Sequence, residues 1–135
     1  MLKCCSLYSG SSGNSFFVQS EKTKILVDAG VSCKKIEKAI LEQFNLKLND
    51  IDAIFVTHEH IDHTKSLGII SSKYNLPVFA SKGTWQALDE KDNKISLENK
   101  KKIIPNKSFE FGDLRIYPFS TPHDAADPLR IQYLS

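Results

Sequence analysis

The sequence predicts a mixed α/β domain built on a sheet with helices packed against it. Three observations predict it. The N-terminal third is a run of short apolar segments divided by turn residues, two later stretches carry apolar residues at helical spacing between strands of the buried type, and the length of 135 residues suits one domain. Leu2 to Tyr8, Ser15 to Gln19 and Lys24 to Asp28 read as strands rich in Phe, Val, Ile and Leu, separated by Ser9 to Asn14 and by Glu21-Lys22. Ser32 is placed to cap a helix whose Ile36, Ile40 and Phe44 recur at four-residue spacing, with Lys34, Lys35, Lys38 and Glu42 around the rest of the turn. Asp52 to Thr57 is a buried-type strand, and Leu67, Ile70 and Tyr74 mark one face of a second helix.

Further on, Pro77 to Ala80 reads as a short strand and Thr84 to Leu88 as a helical turn or two. Lys91 to Lys102 is charged and without pattern, so a loop is expected there. Phe109-Glu110-Phe111 and Leu114 to Tyr117 alternate apolar residues on either side of Gly112-Asp113, the signature of a hairpin.

Composition narrows the class without naming a ligand. A hydrophobic share of 41% and a charged share of 25% exclude a disordered tail or a fibre. A formal charge of +2 is too small to imply by itself a polyanionic partner or an anionic membrane surface. Ser, Lys, Asp or Gly interrupts every apolar stretch before the ~20 residues that span a bilayer. The Met1 to Cys5 start has neither the basic region nor the apolar region of a signal peptide, so the expected location is the cytoplasm, away from membranes. Cys4, Cys5 and Cys33 are odd in number, and neighbours on a strand point to opposite faces; reduced thiols are expected rather than a disulfide framework.

The strongest chemical signal is Thr57-His58-Glu59-His60-Ile61-Asp62-His63, directly after the buried strand. Extended residues two apart point the same way, so His58, His60 and Asp62 can converge from one edge while His63 begins the next element. Neutral imidazoles with a carboxylate are the ligand types of Zn²⁺, and such oxygen-bearing sites also take Mn²⁺ or Fe. At this chain's own His and Asp frequencies the pattern should arise by chance in roughly 2 of 10⁴ such chains. His123, after the hairpin in Ser120-Thr121-Pro122-His123-Asp124, reads as a further ligand because every histidine of the chain lies at a strand end beside a carboxylate. Asp28, ending Ile25-Leu26-Val27 before Ala29-Gly30, is either a turn residue or a carboxylate that holds a ligand imidazole in its metal-binding tautomer; Asp124 has the same two readings. The Ser9 to Asn14 loop is a plain turn or an anion site. Lys100-Lys101-Lys102 is a solvated face or a nucleic-acid contact, and Trp85 a core or interface residue or a base-stacking one.

Ile25-Leu26-Val27-Asp28-Ala29-Gly30, the His58-x-His60-x-Asp62-His63 run, and His123 after a hairpin together resemble the metallo-β-lactamase fold superfamily, an αββα sandwich. Ser6 to Ser15 and Thr121 to Pro128 look like the bacterial YycJ/WalJ-type branch of that superfamily, whose members are regarded as phosphodiester-cleaving enzymes, DNA exonucleases in particular. The resemblance implies a metal-dependent hydrolase. His58, His60 and His123 would hold a first divalent metal, Zn or Mn, completely. Asp62, which also carries the catalytic role, and His63 would supply part of a second metal site, and Asp28 and Asp124 would support the ligands from behind. The two ions would activate water for attack on phosphorus and stabilise the leaving oxygen.

The family continues to a further strand with a metal-bridging Asp and a later His, neither of which has a counterpart after Pro128. The expectation is therefore one domain over 1–135 corresponding to the N-terminal half of the fold, with an incomplete second site. Weak turnover and self-association through exposed sheet surface follow from that expectation. DNA is the expected substrate. Two alternatives stand beside this reading: a non-catalytic metal-binding fragment, and a hydrolase of a thioester, lactone or β-lactam.

Overall fold

The computed structural model describes residues 2–91, 93–119 and 129–134. Strands β1 (Lys3–Tyr8), β2 (Ser15–Gln19) and β3 (Lys24–Val27) form the N-terminal antiparallel meander. Helix α1 (Cys33–Phe44) then crosses to β4 (Ala53–Phe55), which lies parallel to β3. Ser32 caps α1 by accepting the Lys35 N–H at 3.3 Å, and Asn45 ends it in the left-handed conformation, φ 54°. After β4 come α2 (Ile61–Thr64), α3 (Leu67–Tyr74), β5 (Val78–Ser81), α4 (Lys82–Asp89) and β6 (Lys100–Ile103). Strands β4, β5 and β6 pair in parallel, so the large sheet runs β1-β2-β3-β4-β5-β6. The hairpin β7 (Phe109–Phe111) and β8 (Leu114–Pro118) continues to β9 (Leu129–Tyr133) in a second, three-stranded antiparallel sheet.

Side-chain alternation divides the core into two layers. Leu26, Ile54, Val56, Val78 and Ala80 face the helices and meet Ile36, Ile40, Leu67, Ile70 and Trp85. Ile25, Ala53, Phe55 and Ile103 face the other way and meet Leu114 and Ile116 of the small sheet, with Phe79 and Phe109 stacked on Phe55 and Phe111 edge-on to it. Strands buried on both faces read as continuous apolar runs, which is why Asp52 to Thr57 has no polar alternation. Gly112 opens the hairpin turn with φ +58°, as a type II′ turn requires at its first central position. That turn is pinned to the β2–β3 connection, where the Thr23 hydroxyl accepts the Asp113 N–H at 3.2 Å and Asp113 accepts the Lys22 N–H at 3.3 Å.

Two segments differ from expectation. The stretch expected as a loop over Lys91 to Lys102 ends in β6, because one apolar residue, Ile103, buried against the far face, is enough to hold an edge strand whose other positions are lysines. The last segment, Leu129–Tyr133, is also a strand, paired with β8. The apolar face expected to lie open is covered over much of the large sheet by the small one. The outward residues of that small sheet are polar or amphipathic, with Tyr117 donating to Gln132 at 3.0 Å and Arg115 beside Glu110 at 3.5 Å. Phe16, 42% exposed, marks the part of the large sheet that stays open. Among the described residues no helix is long and apolar enough to cross a membrane. The three cysteines are free thiols.

Candidate metal centre

The candidate residues gather at the C-terminal ends of β3 and β4, where a parallel sheet gives way to loops. His58 and His60 sit on the extended segment after β4. His60, in β conformation, begins α2, and Asp62 and His63 belong to that helix. Alternation therefore explains the first two histidines only, and a helical turn supplies the rest. The His58 ring stands edge-on to that of His60, centroids 3.8 Å apart, and lies 5.0 Å from that of His63. His58 is buried, His60 exposed, and Asp62 and His63 half-buried. His58 Nδ1 lies 3.3 Å from the His60 backbone N–H, a contact that tightens the segment.

Asp28 organises the group from beneath. It is 3% exposed and sits with φ 67°, in the left-handed region that Asp tolerates better than most residues. One carboxylate oxygen accepts the Thr57 N–H at 2.8 Å; the other accepts the Thr57 hydroxyl at 2.5 Å and faces His63 Nδ1 at 2.8 Å. A carboxylate accepts from the imidazole Nδ1–H, which leaves the Nε2 lone pair directed outward. That hydrogen bond raises the His63 pKa, with the Asp28 and Asp62 charges acting in the same direction and burial opposing them.

His63 Nε2 faces the Asn14 amide nitrogen at 3.4 Å and Asp62 Oδ2 at 3.7 Å. The same amide donates to the Asp62 backbone carbonyl at 3.2 Å and to Asp62 Oδ2 at 3.4 Å. Asn14 N also donates to that carbonyl at 2.7 Å, Gly30 N to Asn14 O at 2.8 Å, and Ala29 N to His63 O at 2.9 Å. Asn14, at the end of the Ser9 to Asn14 loop, thus braces the histidine segment. Gly30 lies so close that an added Cβ would stand 1.7 Å from Asp62 O and 2.7 Å from Asn14 N.

The donors suit a borderline metal: imidazole nitrogens, one of them with its lone pair held outward by a carboxylate, and the Asp62 carboxylate beside it. Among the described residues no group of three or more His, Cys, Asp or Glu side chains is placed to hold a metal ion. His123 and Asp124, expected as the further ligand and its support, lie outside the described residues. Beside His60 and Asp62 opens a cleft of about 500 Å³, bounded by Ile61, Thr64, Ala87, Leu88, Glu90 and Lys91. Asn14 and Thr57 are site residues that sequence reasoning missed. Asn14 looked like a turn residue, and its partners in the histidine segment, Asp62 and His63, lie 48 and 49 positions away.

A fold with two facing sheets and a His-x-His-x-Asp-His segment at the strand ends is that of the metallo-β-lactamase superfamily, and the model of that family matches residues 8–135. The chain belongs to it. It is 42% identical over 123 residues to the exodeoxyribonuclease YycJ of Bacillus anthracis, and 43% identical over 124 residues to the exodeoxyribonuclease WalJ of Streptococcus pneumoniae. These matches cover 91% and 90% of this chain; in both cases the chain spans 46% of the relative's length. Among solved structures, a metallo-β-lactamase of Cronobacter sakazakii superposes with a TM-score of 0.73 at 18% identity, covering 87% of this chain and 51% of that one. A class B3 di-zinc metallo-β-lactamase from an Alaskan soil metagenome gives 0.74 at 14% identity, covering 92% and 54%. At such identities these structures speak for the fold alone.

Proposed function

We propose that this chain carries the metal-binding part of a phosphodiesterase that removes nucleotides from DNA. The observation that carries the reading is its 42–43% identity, across nine-tenths of its length, to two exodeoxyribonucleases. A 27% identity to a ribonuclease Z of Methanopyrus kandleri over 78% of the chain points to the same class of bond. The distant lactamases share the fold only, so an ester or β-lactam substrate has no comparable support.

In this reading His58, His60 and His123 would hold a first divalent ion, Zn or Mn, and Asp62 with His63 would contribute part of a second site. Bound metal supplies Lewis acidity, lowering the pKa of water and offsetting charge on the phosphoryl oxygens. The protein's own groups do the positioning. Asp28 holds the Nδ1 proton of His63 so that Nε2 faces the centre, and Thr57 fixes that carboxylate by two hydrogen bonds. Asn14 orients Asp62, whose carboxylate at the lip of the cleft is placed to take the proton of the attacking water. The water oxygen forms its bond to phosphorus, the ester P–O bond breaks, and the leaving oxygen departs with the proton that Asp62 took from the water, which returns the carboxylate to its starting state. Asp124 would support a ligand imidazole from behind, the role Asp28 has toward His63. Self-association through the open sheet surface around Phe16 belongs to the same proposal, since apolar patches of this kind favour contact between copies.

The test measures bound metal per chain together with release of nucleotides from linear duplex DNA in Mn²⁺, for the wild type and for His58→Ala and His123→Ala. Expected are one tightly held equivalent of metal, a weaker second, and cleavage that both substitutions abolish. Stoichiometric metal without cleavage would turn the reading toward a non-catalytic metal-binding fragment, and faster turnover of a thioester or lactone would reject the nuclease.

A further inference from the structure

The lysines of β6 stand apart from the metal site and do not behave as an ordinary solvated run. β6 is the outer strand of the large sheet, beyond β5. Its register places Lys100, Lys101 and Lys102 opposite Val78, Phe79 and Ala80, so Lys100 and Lys102 lean to the helical face and Lys101 to the other. On the helical face they meet α4 around a concavity of about 310 Å³ lined by Lys82, Trp85, Gln86 and Asp89 together with the three strand lysines. Trp85 forms its floor: the indole N–H donates to the Lys101 carbonyl at 2.7 Å, and Lys100 Nζ lies 5.8 Å over the ring. Lys100 is neutralised by Asp89 at 2.9 Å. Lys82, Lys101 and Lys102 are exposed and have no acidic partner among the described residues. Lys82 and Lys102 thus stand unneutralised on the helical face, and Lys101 adds a third such charge on the other side of the same sheet edge; their mutual repulsion is a cost that a polyanion following the edge removes.

Position gives the charge a use. Because β4, β5 and β6 are parallel, β6 ends on the same rim as the histidine segment. Pairing of Phe55 with Phe79 and of Phe79 with Lys101 sets Lys101 level with Phe55, three residues short of His58. Two strand spacings put it about 10 Å to the side. Helix α4 bridges the gap, with Ala87 and Leu88 on the cleft beside His60 and Lys82, Trp85 and Gln86 on the basic hollow.

We propose that Lys82, Lys101 and Lys102 form a phosphate-binding track for a single strand of nucleic acid, next to the metal centre along α4. The inference rests on the nuclease reading for its choice of polyanion and adds the surface that holds the strand away from the reacting bond. Lysines on an edge strand also discourage pairing with another sheet. Lys82, on a helix and across the hollow, has no such use.

The test is binding of a fluorescein-labelled single-stranded oligodeoxynucleotide, followed by anisotropy in EDTA so that no metal chemistry enters. Wild type is compared with Lys82→Gln/Lys101→Gln/Lys102→Gln and with Lys3→Gln/Lys22→Gln/Lys47→Gln, which removes the same charge elsewhere. The track variant should bind at least about tenfold more weakly at low salt, and its plot of log affinity against log salt should be shallower by about 2, three contacts at ~0.7 each. The control triple should change little. No binding by wild type, equal losses in both triples, or retention of wild-type affinity by the track variant would overturn the proposal, as would track-dependent capture of phosphatidylglycerol vesicles in place of DNA. Absence of cleavage in Mn²⁺ with track-dependent binding intact would sink the nuclease reading and leave this one standing.

Discussion

Asp28 carries three hydrogen bonds from a left-handed backbone at a buried position, and each of its partners is a part of the site or adjoins it. Asp28→Ala should leave the Thr57 N–H and hydroxyl and the His63 ring without an acceptor, at a cost of about 2–4 kcal/mol in urea denaturation of the metal-free chain. Metal affinity, followed by competition with a chromogenic chelator, should fall about 10- to 100-fold as the imidazole loses its fixed tautomer. A variant as stable as wild type would mean that the carboxylate is incidental to the fold. The pH dependence follows from His63. Its pKa is raised in the folded chain, chiefly by the bond to Asp28, so the protonated ring is favoured by folding. The contribution is complete below the unfolded imidazole value and is lost as pH rises through the higher folded one. Urea midpoints of the metal-free protein should therefore drop across that interval, and His63→Gln should flatten the drop. Metal uptake runs the opposite way, strengthening with pH, because a proton on Nε2 competes for the same lone pair. Cys33 is perturbed as well: partial burial and the nearby Glu37 push its thiol up to about 11. At pH 8 it should react with iodoacetamide more slowly than the exposed Cys4, as read by mass spectrometry after proteolysis.

At the scale of elements, the short helix α2 is held less by its own turn than by the loops around it. Asn14 and Gly30 clasp its backbone, and an added methyl at Gly30 has nowhere to go except against Asp62 O. Gly30→Ala should cost about 1–3 kcal/mol and displace Asp62 and His63 together, so that the urea midpoint and metal affinity fall in the same variant. A stable variant with intact metal affinity would show that the contact relaxes without consequence. This clasp also shows where sequence was informative and where it was not. His58 to His63 announces itself because ligand types crowd into six positions. Asn14 stayed hidden because its work is done through an amide and a backbone across a large sequence separation, and locally it looks like any residue of a Ser/Gly turn. The strands β1 to β5 and the hairpin are legible because they are short apolar segments, alternating or continuous, bounded by turn residues. Strand β6 is not, since three of its four residues are lysines and its pairing with β5 is set by backbone and by Ile103 alone.

In the whole molecule, Phe55 ties the layers together: fully buried on β4, it meets Phe79 of its own sheet at 4.7 Å and Phe109 and Phe111 of the other at 6.2 and 5.8 Å. Phe55→Ala should cost about 3–5 kcal/mol, and if both layers form one cooperative unit, far-UV circular dichroism and fluorescence of Trp85, the sole tryptophan, should follow one transition. Two separated transitions would show that the small sheet melts on its own. The large sheet has a further property: its spatial order β1-β2-β3-β4-β5-β6 is the order of the chain. Each strand leaving the ribosome finds its partner already laid down at the growing edge, with no gap to be filled later and no segment to be threaded between others. The sheet can be assembled in the direction of translation, by accretion on one side, and the histidine segment arrives after the strand and the carboxylate that receive it.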